Sequence, residues 1–271
     1  MTETGRNVTE LSRQDARLVE VWQRLDIVCD PELDEPITDM GFVEDVDIKH
    51  DQVAVRFRLP TYWCSANFAY LMASDIRLEV EKLEWVSRAR VQLEDHMFEE
   101  QVNTGVNEGR SFREIFADLA PDQGLDEIRE KFRKKAFQRR QEVTLLGLQG
   151  LGFSNAQIVS LTLQELSGVQ FTNEEDARQK ARYFDIVRQL GRAAEPSDLA
   201  FLSYEGDAFK ADDLADYLSN LRGVRINMEF SGALCRGLLS TRYKELDPTT
   251  DEPTLVDFML DRVPPRQGLE G

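Results

Sequence analysis

No run of about 18 consecutive apolar residues occurs anywhere in the 271-residue chain, so the sequence offers no membrane-spanning helix. Cysteine is scarce: Cys29, Cys64 and Cys235 make neither a disulfide framework nor a four-thiolate metal site within one chain. Histidine is scarcer still. His50 and His96 are far apart in sequence and no Glu-x-x-His pair exists, which argues against a histidine zinc site and against a carboxylate-bridged di-iron centre. Positive charge is in deficit, with 33 Lys and Arg against 50 Asp and Glu and a net charge of −17. That balance argues against general nucleic-acid binding and against docking on anionic lipid. No P-loop or Rossmann fingerprint is present; GLQGLGF follows a helical segment and has the wrong glycine order, so its glycines read as a helix end. The N-terminal residues are polar and acidic without an apolar h-region, and the expectation is a soluble, cytoplasmic protein.

What is present divides unevenly. Leu18, Val21, Trp22 and Leu25 recur at helical spacing, and the segment CDPELDEPITDMGF then forbids regular structure. Val46 and Ile48 alternate with acids, HDQ makes a turn, and Val53, Val55, Phe57 and Leu59 alternate with Ala54, Arg56 and Arg58: a β-hairpin with one buried face. Phe68, Leu71, Met72, Ile76, Val80 and Leu83 mark an amphipathic helix, and Ala89, Val91 and Leu93 a third strand. Beyond Glu94 the strand signal fades. Residues 99–119 are mixed, with a helical patch near Phe112, and a helix from Leu125 to about Leu146 follows. Ser154, Thr162 and Asn173 read as N-caps of three more helices, the last stopped at Gly191. Short helices and one strand at Val224–Phe230 are expected thereafter. The fold class is α+β: a helix-strand-strand-helix-strand domain over 12–119, a mainly helical domain over 125–246, and a loosely attached tail over 247–271.

The densest chemical constellation is Asp30, Pro31 and Glu32 in one loop with Thr61 and Cys64 in another. The loops border the two side-by-side ends of one hairpin, which lets them face each other. Cys64 precedes a helix whose expected N-cap is Ser65, and the positive end of the helix dipole favours a thiolate there. A thiolate beside a carboxylate and a hydroxyl suits a soft or borderline metal; one cysteine per chain would hold a cluster only with ligands from a second subunit or a partner. The plain alternative is a half-buried cysteine and an ordinary turn. His50 and His96 read as solvated turn residues, and Cys235 as a packing residue. The seven cations between Arg129 and Arg140 read either as a docking face for an acidic client or as a stripe neutralised by the protein's own acids.

The stretches DPELDEPITDMGFVEDVDI and VAVRFRLPTYWCS resemble the SufT/PaaD-type iron–sulfur assembly domain, the family that also supplies the client-targeting subunit of cytosolic iron–sulfur assembly. The family pattern falls on Asp30, Pro31 and Glu32, on Met40, Gly41 and Phe42, and on Thr61 and Cys64; the resemblance covers roughly residues 12–119. It implies a non-enzymatic assembly or maturation adaptor for iron–sulfur or iron-dependent enzymes. Cys64 would be the metal ligand, with Asp30, Glu32 and Thr61 orienting the loop or supplying oxygens. It implies iron or a transient cluster as cargo, with no stably bound group as the equal alternative. Partners would be a client metalloenzyme and iron–sulfur assembly proteins, with a homodimer as one arrangement and no nucleic acid or membrane. Bacterial relatives beside multicomponent oxygenases suggest such an enzyme as client. The family's bacterial form has Gly-Cys-Pro where Trp63 and Ser65 flank Cys64 here, which supports the alternative of a metal-free interaction or folding-helper subunit.

Overall fold

The computed structural model describes residues 16–119, 125–192 and 195–243. Two units make up the chain: residues 126–230 with Glu32–Asp34 form the second, and the remainder the first.

In the first unit, residues 16–25 are helical (α1) and bury Val21 and Leu25. The segment after it folds back on itself, with the Asp30 amide donating to the Glu35 carbonyl at 2.8 Å and the Ile37 amide to the Val28 carbonyl at 2.9 Å. Gly41, at φ +72°, closes this segment where the Phe42 amide returns to the Ile37 carbonyl; a side chain would be strained in that left-handed conformation. β1 (Val43–Lys49) and β2 (Gln52–Arg58) form the expected antiparallel hairpin, turned at His50 with φ +60°. α2 (Ala66–Val80) then carries the chain across to β3 (Arg88–Glu94), which pairs parallel with β2 because a crossover helix lies between them. Register sets Val53 beside Ala89, Val55 beside Val91 and Phe57 beside Leu93, all 0–2% exposed. The apolar alternation therefore becomes one continuous buried face, covered by Leu71, Met72, Ile76 and Val80 of the core stripe of α2.

The mixed stretch after β3 resolves into α3 (Glu99–Asn107) and the single turn α4 (Phe112–Ile115), capped reciprocally by Ser111 and Glu114. α3 is hard to read in sequence because it buries only Val102, Gly105 and Val106. Gly105 lets α4 approach: a Cβ there would stand 2.1 Å from Ile115 Cδ1. β3 is an edge strand, and α3 closes that edge with side chains. Asn103 Oδ1 accepts from the Leu93 amide at 2.7 Å while its Nδ2 donates to the Leu93 carbonyl at 2.9 Å. Asn107 does the same for Val91, at 2.9 and 2.7 Å.

The second unit is helical. α5 (Asp126–Gly150) is followed by α6 (Asn155–Ser160), α7 (Leu163–Gly168) and α8 (Glu174–Gln189), with side-chain caps from Ser154, Thr162 and Asn173 as expected. Phe137, Leu145, Leu148, Ile158, Leu166, Tyr183 and Phe201 anchor its core. The expected strand at Val224–Phe230 is not a strand. It lies within α9 (Leu214–Tyr243), whose buried residues Leu214, Leu218, Leu221 and Met228 follow helical spacing while Ile226 and Phe230 point to solvent, so the short alternation was a coincidence of the helical pattern. From Ser231 onward α9 groups with the first unit, where Arg236 pairs with Glu35. The tail expected over 247–271 lies outside the described residues. Among the described residues no helix is long and apolar enough to cross a membrane.

Candidate functional site

The loop between β2 and α2 carries Thr61, Tyr62, Trp63 and Cys64. Thr61 Oγ1 and Cys64 Sγ are 3.0 Å apart, a hydrogen bond that holds the half-buried thiol against the loop. Ser65 occupies the N-cap position of α2, but its side chain makes no capping bond. Tyr62 and Trp63 meet edge to face and are left 47% and 73% exposed. Both rings are therefore open to solvent on the loop that carries Cys64.

His96 fixes this loop from the far side. The sequence reading made it a solvated turn residue; instead it is 3% exposed. Its Nδ1 accepts from the Phe98 amide at 3.2 Å, so a neutral ring carries its proton on Nε2 and donates it to the Cys64 carbonyl at 2.9 Å. The Met97 amide donates to the Tyr62 carbonyl at 2.9 Å, tying the same two segments a second time. Asp95, at φ +56°, turns the chain into this bracket, and Arg242 clasps it by donating to the Asp95 carbonyl at 2.7 Å while pairing with its carboxylate at 2.8 Å. No sequence signal marked His96 or Arg242, since their partners lie 32 and 147 residues away.

Burial is the main cause that lowers the His96 pKa below its ordinary 6.5; the Cys64 hydrogen bond and Glu99 oppose this, and the Arg242 charge adds to it. The unfolded chain therefore takes up this proton first as the pH falls. His96's contribution to stability is complete above about pH 6.5 and is lost as the pH drops through that value toward the folded-state one. The lost bond is also identifiable, because a protonated Nδ1 no longer accepts from Phe98. Thermal melts at about pH 7.5 and 5 should show a larger acid-induced drop in Tm for the wild type than for His96→Gln. Parallel drops would remove His96 from the pH response.

The remaining expected site residues are arranged differently. Asp30 is buried at 7% exposure in the folded-back segment after α1. Glu32 belongs to the second unit, where its half-exposed carboxylate lies 3.8 Å from Lys135 Nζ. Of the expected residues, Thr61 and Cys64 are in mutual hydrogen-bond contact. Among the described residues, no three His, Cys, Asp or Glu side chains gather in an arrangement that would hold a metal ion.

The basic stretch of α5 is largely engaged within the protein. Lys131, Arg133, Lys134 and Lys135 pair with Glu127, Glu130, Glu205 and Glu32, and Arg140 binds Asp34. These pairs are those of a stripe that neutralises the protein's own acids, and Lys131, Arg133, Lys134 and Lys135 keep 42–68% of their side chains exposed. The four exposed pairs contribute about 0–1 kcal/mol each.

Comparison with known proteins places these features. An uncharacterized protein of Methanocaldococcus jannaschii is 34% identical over 91 residues, which is 33% of this chain and 93% of that protein. No solved structure matches the chain. The family model described as iron–sulfur cluster assembly protein matches residues 18–93, from α1 through β3 and including the Asp30–Pro31–Glu32 segment and the Thr61–Cys64 pair. Through this N-terminal part the chain belongs to the iron–sulfur cluster assembly protein family, with a general role in iron–sulfur assembly.

Proposed function

We propose that the protein is an adaptor that docks a client metalloenzyme and assists delivery of iron or an iron–sulfur cluster to it. The observation that carries this reading is the Cys64 thiol, held by Thr61 and bracketed through its backbone by His96, with Tyr62 and Trp63 exposed on the same loop. A thiol positioned in this way is suited to transient ligation of cargo, with further ligands coming from the client, an assembly protein or a second subunit. The adjoining rings supply the apolar contact a client would cover. In this reading the protein acts by docking rather than by catalysis. A bacterial multicomponent oxygenase is the client we test first.

The test combines metal and sulfide analysis of anaerobically purified protein with a client maturation assay. Cys64→Ala should abolish cluster transfer while leaving the melting curve close to that of the wild type. Trp63→Ala should lower client association about tenfold or more, the magnitude of a buried aromatic hot spot, at unchanged stability. Full maturation by both folded variants would remove the loop from the function. The second reading, a metal-free folding helper, is favoured by Trp63 and Ser65 flanking Cys64 where the family's bacterial form has Gly-Cys-Pro. In that case Trp63→Ala impairs the client and Cys64→Ala does not.

A further inference from the structure

The face of the sheet opposite the core is not apolar, and its rows can be read from the strand register. Lys49 stands beside Gln52 and Gln52 beside Arg88; Asp47 stands beside Ala54 and Ala54 beside Arg90. Together with Asn103, Thr104 and Asn107 of α3 and its C-cap Glu108, these residues line an open groove of 620 Å³. The small side chain of Ala54 forms its floor, between Asp47 and Arg90.

The charges in this groove depart from the rest of the chain. In a protein with 50 acidic side chains, neighbouring arginines on the same face are paired: Arg56 with Asp45 and Glu94, Arg58 with Glu44 and Glu94. Lys49 pairs with Asp47 at 2.8 Å. Among the described residues, the exposed guanidiniums of Arg88 and Arg90 have no hydrogen-bond or ion-pair partner. Each presents a planar fork of donors suited to a carboxylate.

We infer that this groove receives an extended acidic segment of a partner protein, whose carboxylates pair with Arg88 and Arg90. Spacing supports an extended peptide. Residues two apart on a strand are about 6.6 Å apart on one face, so an acid-x-acid repeat in extended conformation matches Arg88 and Arg90. The lining includes no aromatic ring on which a nucleobase would stack, and the net charge of −17 opposes approach of a polyanion longer than the groove. Recognition is through side chains rather than strand addition, because Asn103 and Asn107 already occupy the free edge of β3. The inference gives the adaptor reading a second contact surface, distinct from the Cys64 loop in the residues that form it, and its measurement does not depend on client maturation.

The experiment uses the full chain at low salt and fluorescence anisotropy with three labelled probes: an eight-residue alternating Thr–Glu peptide, the matching Thr–Gln peptide, and an eight-nucleotide oligothymidylate. The Thr–Glu peptide should bind, lose affinity as salt is raised, and bind at least tenfold more weakly to Arg88→Glu/Arg90→Glu. A control of equal net charge, Lys131→Glu/Arg188→Glu on the helical unit, should retain most of the affinity. Equal weakening by both double variants would mean a global charge effect and would overturn the groove. So would absence of Thr–Glu binding to the folded wild type, equal binding of Thr–Gln, or tighter binding of the oligonucleotide.

Discussion

Asp34→Asn should destabilise the helical unit by about 3–5 kcal/mol, the loss seen when one partner of a buried ion pair is removed. Asp34 has a side-chain exposure of 5% and accepts from both sides of the Arg140 fork, at 2.8 and 2.6 Å, and from Arg182 at 2.9 Å. Arg139 adds bonds to the Leu33 and Asp34 carbonyls at 2.9 and 3.3 Å. Neutralising the carboxylate leaves two largely buried guanidiniums, at 13% and 17% side-chain exposure, without their counter-charge. The amide is the informative replacement because Asp34 sits at φ +54°, a conformation asparagine also tolerates, so the variant tests charge without adding backbone strain. Asp34→Ala should cost about 1 kcal/mol more for that reason. Denaturant titration of the full chain, followed by far-UV circular dichroism, reports the helical transition. A shift below about 1 kcal/mol in Asp34→Asn would show that the triad is solvated in solution.

The second large effect concerns the sheet edge. Asn103→Ala and Asn107→Ala each remove two hydrogen bonds to the backbone of β3, and each strand residue concerned is 0–1% exposed at its side chain. An orphaned donor or acceptor in a buried setting costs about 1–3 kcal/mol, so the double variant should lose several kcal/mol of stability in the first unit. It should also self-associate, because the uncovered edge of β3 presents free backbone groups for pairing with another chain. Asn103→Asp separates the two halves of the interaction: the carboxylate still accepts from the Leu93 amide but repels the Leu93 carbonyl. Sedimentation velocity and denaturant titration on the four variants check both outcomes. A monomeric, fully stable double variant would show that water replaces the asparagines at no cost.

The hairpin and its crossover helix were legible because their apolar residues recur at periods of two and 3.6, which depend on neighbours within a few positions. The caps at Ser154, Thr162 and Asn173 were legible for the same reason: a cap bonds an amide two or three residues on. The Thr61–Cys64 contact is also local, although the residues alone equally suited an ordinary turn and it was the resemblance that singled out the loop. The strand expected at Val224–Phe230 failed where alternation over seven residues mimicked part of a helical stripe that only the full length of α9 reveals.

Outside α3 and the middle of α9, the sequence by itself therefore determined the element types, together with the single-sided sheet and the residues of the Cys64 loop, all consequences of short-range patterning. Tertiary structure alone decided what those residues touch. It placed His96 behind Cys64, Arg242 on Asp95, and two asparagines on the edge of β3. It turned Arg140 inward onto an aspartate 106 residues away, while leaving Arg88 and Arg90 without partners among the described residues. A charged or polar side chain carries no periodic signature of its partner, because pairing energy depends on distance and desolvation, and both are set only when the chain has packed.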